Sequence, residues 1–358
     1  VQISDNYEID TLEQRHGKVF LGKNSKESPF NRILNDLLKE DMDRFNTVLA
    51  QALKPQEEYL TDTEYQIYQR GKKLRPFMMI LSARLLYGNG ELPLKIIKAA
   101  VSLEMLHVAT LIHDDIIDNA LMRRNLKSVN ATRGINTAIL VGDMQFVQAI
   151  RCFIDAIETE SEMGLAKLVL DTAFRICCGE LDEINTDPQW ETEKLRQRYY
   201  DVIERKTAIM FGLACETGMA LVKGRTSESR RIGFYGRRVG RAFQIMDDLF
   251  DFMHEDDVTG KLRGTDLVQR RLSLPIIYAM QELGNEHIVS RIIRGHEPSA
   301  AETEAGMEAI RNAQGFSKTY ADARWEAIDA LEYLKPFPRS IYREALEEIA
   351  MYTVDRSF

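Results

Sequence analysis

Residues 103–118 read LEMLHVATLIHDDIID, and residues 241–251 read RAFQIMDDLFD. Both place large apolar side chains three and four positions apart, the period of an α-helix. Both end in Asp-Asp-x-x-Asp: Asp114, Asp115 and Asp118 in the first, Asp247, Asp248 and Asp251 in the second. At about 3.6 residues per turn, the first and last Asp of each triplet share one helix face.

The rest of the chain follows the same period. Helical spacing runs through 61–69, 77–86, 96–117, 194–221 and 229–252. Pro76, Pro93, Pro188, Pro275 and Pro298 stand where helices should start or stop. Alternating strand-type runs are absent, and the one conspicuous turn is YGNG at 87–90. The expected fold is all-α: a single large antiparallel helical bundle around a central apolar cavity. No linker-like stretch divides the 358 residues, so 29–358 is expected to form one domain behind a loosely held polar segment, 1–28. Residues 294–303 (RGHEPSAAET) read as a loop between helices.

Composition removes several classes of function. With 44% hydrophobic and 28% charged residues the chain is globular, not disordered. A net charge of −8 argues against a nucleic-acid binder that works through a broad basic surface. No apolar stretch is read as approaching the roughly 20 residues of a membrane span, so no transmembrane segment is expected. The start, VQISDNYEID, lacks a secretory pattern. Cys152, Cys177, Cys178 and Cys215 show no metal or redox spacing and read as free buried thiols of a cytoplasmic protein.

Three carboxylates on one apolar helix end repel one another and cost desolvation. A lone copy would most simply be a solvated helix face. Two copies, each flanked by apolar residues, call for a hard cation, and Mg²⁺ takes carboxylate oxygens while bridging to phosphate. Two such faces closing on one diphosphate would hold it and ionise its ester. Cations accompany them. Lys72 and Arg75 in RGKKLRP precede a helix start, where backbone N–H groups also favour anions. His107 lies two turns before Asp114, about 10.5 Å along the axis. Arg123 and Arg124 follow the first triplet, and Lys206 with Thr207 sits in ERKTA. Each is ordinary alone; together they imply two phosphorylated substrates bound side by side.

With these residues in view, the chain resembles the trans-isoprenyl diphosphate synthases, or polyprenyl synthetases, and within them a medium- or long-chain member. The matching segments are GKKLRP (71–76), LEMLHVATLIHDDIID (103–118), MRR (122–124), VGD (141–143), ERKTA (204–208), AFQIMDDLFD (242–251), TGKLRGTDL (259–267) and LSLP (272–275). The resemblance implies an isoprenoid-synthase-type bundle and a Mg²⁺-dependent prenyltransferase that is usually a dimer. By position, Asp114, Asp115, Asp118, Asp247, Asp248 and Asp251 would hold three Mg²⁺ on an allylic diphosphate. Lys72, Arg75, His107 and Arg124 would bind isopentenyl diphosphate. Arg123, Lys206 and Lys261 would contact the allylic diphosphate, with Thr207 and Gln244 beside the reacting carbons. Two features depart from the family pattern: Arg70 replaces a glycine, and Arg270–Arg271 replace Gly-Lys. Arg271 keeps a cation without the compact ammonium.

Breaking the allylic C–O bond gives a carbocation that the isopentenyl double bond attacks, and water must be kept away, a task suited to Leu111, Ile112, Phe243 and Ile245. Where short-chain members carry bulky plugs, this chain has Ala109 and Thr110, so the floor should be open down to Met105, Leu106 or Phe146. That predicts a product longer than C20, about C25–C40, of the kind used as quinone side chains. The alternatives are the catalytic subunit of a heteromeric synthase, a geranylgeranyl or farnesyl diphosphate synthase, and a class I terpene cyclase. A cyclase needs no isopentenyl site and carries a different second metal motif.

Overall fold

The computed structural model describes residues 28–123, 125–253 and 264–355. Among them every long element is a helix. In chain order these are α1 (Pro29–Leu37), α2 (Lys39–Leu53), α3 (Asp62–Arg70), α4 (Leu74–Tyr87), α5 (Leu94–Ile117), α6 (Val129–Arg133), α7 (Ile135–Ile154), α8 (Met163–Ile184), α9 (Thr192–Ile203), α10 (Ile209–Leu221), α11 (Thr226–Met253), α12 (Thr265–Val268), α13 (Leu274–Leu283), α14 (Ile288–Ile293), α15 (Ala300–Asn312), α16 (Gln314–Leu334) and α17 (Ile341–Asp355). The expected domain segment 1–28 lies, apart from Ser28, outside the described residues.

The helix ends follow from local chemistry. Thr61 and Glu64 form a capping box at α3, Pro93 precedes α5, and Pro275 sits in the first turn of α13. Gly88 (φ 72°) and Gly90 (φ 110°) turn the chain between α4 and α5, as YGNG foretold. One element was not foreseen: β1 (Met122–Arg123) pairs antiparallel with β2 (Leu126–Lys127), Arg123 opposite Leu126.

Helix α4 is buried nearly all round and packs between α5 and α10; α10 lies on α11, and α16 and α17 cover the far side of α11. Phe45, Phe77, Phe153, Phe211 and Phe252 are fully buried in this core. Each such side chain contributes about 1.5–3 kcal/mol through burial. Helix α5 lies along α7, with Gly142 facing the His113 ring, on which a Cβ there would press.

Two expectations are corrected. Helices α5 and α7 are long and apolar enough to span a membrane by length and composition; 72% of the α5 window is buried inside the protein, against 33% for α7. Period-3.6 spacing in α5 concealed a helix buried round most of its circumference, because it is packed by α4, α7 and α10. The four cysteines are free, but only Cys215 is buried, and Cys177 is exposed. Its apolar neighbours on α8 face outward too: Leu170, Phe174 and Leu181.

Candidate active site

The open face of α5 carries the first acidic group. His107, Thr110, Leu111, Asp114 and Asp118 are half-buried along one stripe, at the spacing of successive turns. Below it, Leu103, Met105, Leu106 and Ala109 are fully buried. Asp115, 2% exposed, points elsewhere and accepts hydrogen bonds from Arg123 Nε at 2.8 Å and Nη2 at 2.5 Å. The β1–β2 hairpin holds that arginine. Asp118 is ion-paired with Arg271.

On α11 the second triplet is held differently. Asp247 is exposed. Asp248 accepts from Tyr199 Oη at 2.6 Å and from Gln244 Nε2 at 2.9 Å, and Gln244 Oε1 accepts from Thr207 Oγ1 at 2.8 Å. Asp251 accepts from Thr265 Oγ1 at 2.5 Å and from the Asp266 backbone N–H at 2.9 Å, fastening the start of α12.

Lys206 faces the α5 side from a turn that is itself fastened to α11. It lies in Glu204–Ala208, a π-helical turn between α9 and α10, and such turns recur at functional sites. Arg241 Nε lies 2.7 Å and Arg237 Nη1 3.2 Å from the Glu204 carboxylate, fastening the turn to α11. Gly240 lets α11 approach, since a Cβ there would sit 2.7 Å from Ala208 Cα. The Lys206 ammonium is 2.5 Å from Glu180 Oε2 and also bonds Glu183. Burial works against its charge, but Glu183, Glu180 and Asp114 outweigh it and raise its pKa.

Burial pushes the Asp114 carboxyl up to about 7; Lys206 pulls it down and Glu180 adds to the rise. Burial likewise raises Asp248, against the hydrogen bonds from Tyr199 and Gln244, with Asp247 and Glu183 adding to the rise. Asp266 is raised by burial and then by Asp248 and Asp251, while Arg271 opposes. Charged groups recur around both triplets: Lys206 pairs with Glu183 and bears on Asp114, Glu183 also bears on Asp248, and Arg271 pairs with Asp118 and bears on Asp266. Among the described residues no three carboxylate, imidazole or thiol groups come close enough to cage an ion unaided. The donors are nonetheless hard oxygens, and burial disfavours the charge of Asp114 and Asp248, which suits Mg²⁺ completed by water and phosphate oxygens.

The other cations lie to one side. Lys72 lines a cavity of about 280 Å³ with Leu74 and Phe243, closed by Phe30 of α1 and by Ile349 and Tyr352 of α17. The Arg75 guanidinium sits 5.0 Å from the Phe211 ring centroid, and that ring is 5.6 Å from Phe243. Ile112 and Ile245 are core residues; Leu111 and Phe243 are half-buried. Phe146, on α7, is partly buried against the core. Arg124 and Lys261 lie outside the described residues. Sequence reading missed Tyr199, Glu180, Glu183 and Asp266. Asp266 was legible inside TGKLRGTDL; the others sit in ordinary helical runs.

Comparison with known proteins bears on the family and the fold. The family model for polyprenyl synthetase matches residues 56–310. The chain is 33% identical to the all-trans-nonaprenyl-diphosphate synthase (geranyl-diphosphate specific) of Rhodobacter capsulatus, over 80% of this chain and 85% of that one. It is 27% identical to heptaprenyl diphosphate synthase component 2 of Geobacillus stearothermophilus, over 91% and 99%. The solved decaprenyl diphosphate synthase of Rhodobacter capsulatus superposes with a TM-score of 0.80 at 26% identity, covering 91% of this chain and 99% of that one. The family model spanning most of the chain, together with these relatives and this bundle, makes the chain a prenyltransferase that belongs to the polyprenyl synthetase family.

Proposed function

We propose that the chain condenses isopentenyl diphosphate head-to-tail with an allylic diphosphate, releasing diphosphate and a polyprenyl diphosphate longer than C20, about C25–C40. The observation that carries this reading is Lys206, held among Glu180, Glu183 and the Asp114 side of α5 while its own turn is fastened to α11. Asp114, Asp115, Asp118, Asp247, Asp248 and Asp251 would hold Mg²⁺, three ions in all. Bound Mg²⁺ supplies charge neutralisation of the leaving diphosphate.

The protein's own groups do the rest. Lys206, Arg123, Lys261 and Arg271 grip the departing diphosphate; Lys72, Arg75, His107 and Arg124 hold isopentenyl diphosphate alongside. The Thr207 hydroxyl donates its proton to Gln244, leaving oxygen lone pairs for the electron-poor carbon. Leu111 and Phe243 keep water from it. The released diphosphate takes the final proton, so no side-chain base is needed.

Product length is read at the floor of the α5 stripe. Thr110 lies on the open face, whereas Ala109 is fully buried, so Ala109→Phe also carries an overpacking cost of about 1–3 kcal/mol. Thr110→Phe is the cleaner probe. Mass spectrometry of products from the purified chain, with isopentenyl diphosphate and several primers, should show shorter chains for this variant. An unchanged length distribution would remove the floor from the account.

A homodimer is supported by the outward apolar residues Ile139, Leu140 and Val147 on α7 with Leu170, Phe174 and Leu181 on α8. The Geobacillus relative is named component 2, which favours a heteromer as the second reading. Sedimentation and turnover of the purified chain alone decide between them. Four free cysteines fit a reducing, cytoplasmic setting.

A further inference from the structure

The basic turn before α4 sends two adjacent lysines in opposite directions. Lys72 is exposed and lines the cavity beside Phe243. Lys73 turns inward, and its side chain is only 12% exposed. Residue 73 sits at φ 54°, ψ 36°, the left-handed region, and its carbonyl accepts from Phe77 N at 3.0 Å to start the helix. A left-handed lysine costs about 1–2 kcal/mol, so other interactions must hold it there.

They are visible in the core. The Lys73 ammonium donates to the Tyr68 carbonyl, lies 5.9 Å from the Tyr68 ring centroid and sits 3.6 Å from Glu104 Oε1. Tyr68 is locked in turn: its hydroxyl donates to Gln145 Oε1 at 2.5 Å, and Gln145 Nε2 donates to Gln56 at 2.9 Å. Glu104 is 1% exposed on α5, one turn before His107. Its Oε1 accepts no hydrogen bond among the described residues. A buried carboxylate of this kind is retained at a desolvation cost.

We propose that the buried Lys73–Glu104 pair is a positioning device for the isopentenyl diphosphate subsite. Glu104 anchors Lys73 in its left-handed conformation, and that conformation aims Lys72 at the cavity, while Arg75 in the first turn of α4 lies over the Phe211 ring. Released from the anchor, residue 73 would relax into the right-handed region and join α4. Each residue added to a helix turns the next side chain by about 100°, which would carry Lys72 away from the cavity. The inference rests on the reading of Lys72 and Arg75 as diphosphate ligands given above.

The test compares Glu104→Gln, the double variant Lys73→Met/Glu104→Leu, and Lys72→Ala in the full chain. Isopentenyl diphosphate binding is measured calorimetrically with an unreactive allylic thiodiphosphate present, alongside KM for each substrate and Tm. Glu104→Gln should weaken isopentenyl diphosphate about tenfold and move the allylic KM less than about twofold. The double variant should recover Tm, because apolar side chains replace a buried ion pair, yet bind isopentenyl diphosphate as weakly as Glu104→Gln. Equal weakening of both substrates, or restored isopentenyl affinity in the double variant, would overturn the proposal and leave the pair a plain structural contact. Lys72→Ala separates the two layers. If it leaves isopentenyl binding unchanged, the subsite assignment fails; if it weakens binding while Glu104→Gln does not, the positioning inference alone fails.

Discussion

The two aspartate triplets look interchangeable as text, yet the protein secures them by opposite means. On α5 the partners are cations: Arg123 on Asp115, Arg271 on Asp118, and Lys206 near Asp114. On α11 they are neutral donors: Tyr199 and Gln244 on Asp248, Thr265 and a backbone N–H on Asp251. A cation competes directly with an arriving metal and must be exchanged onto another anion. A neutral donor orients a carboxylate and leaves its charge available. If Mg²⁺ and diphosphate bind as proposed, the α11 side would meet them already oriented, whereas the Arg123–Asp115 and Arg271–Asp118 pairs would have to be exchanged.

The sharpest way to break this contrast is Asp115→Ala. Loss of turnover by about a thousandfold or more is expected even with saturating magnesium, while the far-UV helical signal persists. Retained turnover would remove Asp115 from the proposed metal ligands. A smaller effect is expected on the α11 side. Tyr199→Phe removes one neutral donor from Asp248, and kcat/KM for the allylic substrate should fall about tenfold, with more magnesium needed for half-maximal rate. A magnesium titration that overlays the parent's would mean that Asp248 does not depend on this hydroxyl.

The third probe uses pH. In the metal-free protein Asp114 keeps its proton up to about 7, against 3.8 for an ordinary Asp. Folding therefore takes up a proton between those values, and stability from this group is lost as pH rises through that window. Asp114→Asn escapes the loss. It should be more stable than the parent by about 1 kcal/mol near pH 8, after discounting for partial exposure, and equal to it near pH 4. Urea denaturation in chelator at both pH values checks the sign. The smallest effect is expected from Arg271→Lys, which loosens the ion pair on Asp118; KM for the allylic diphosphate should shift by about two- to fivefold. No shift would place Arg271 outside the exchange.

Most of the fold was legible because helix spacing is local. The run read at 229–252 is observed as Thr226–Met253, and 96–117 as Leu94–Ile117. The stretch 194–221 was legible only in part. Its π turn at Glu204–Ala208 depends on Arg237 and Arg241 of α11 gripping Glu204, a contact no local pattern contains. The aspartates announced themselves by repetition, and the basic turn by density of charge. Tyr199, Glu180 and Glu183 carried no such mark, since a tyrosine or glutamate on an amphipathic helix is ordinary until the partner across the cavity is known. The outward apolar face of α8 was hidden for a related reason: periodicity shows that a stripe exists but not which side of the molecule it meets.

The bulge at Glu204–Ala208 has a consequence for how this chain tolerates change. A turn with i→i+5 bonds holds one residue more than the surrounding helix requires. Deleting a single residue there would let the rod from Thr192 to Leu221 continue unbroken, so helical content would barely alter. What would be lost is the widened turn itself, so Lys206 and Thr207 would be re-aimed while the helices on either side keep nearly their phase. Length variation at this spot is thus structurally silent and functionally loud, a place where one codon separates a working catalyst from a well-folded bystander.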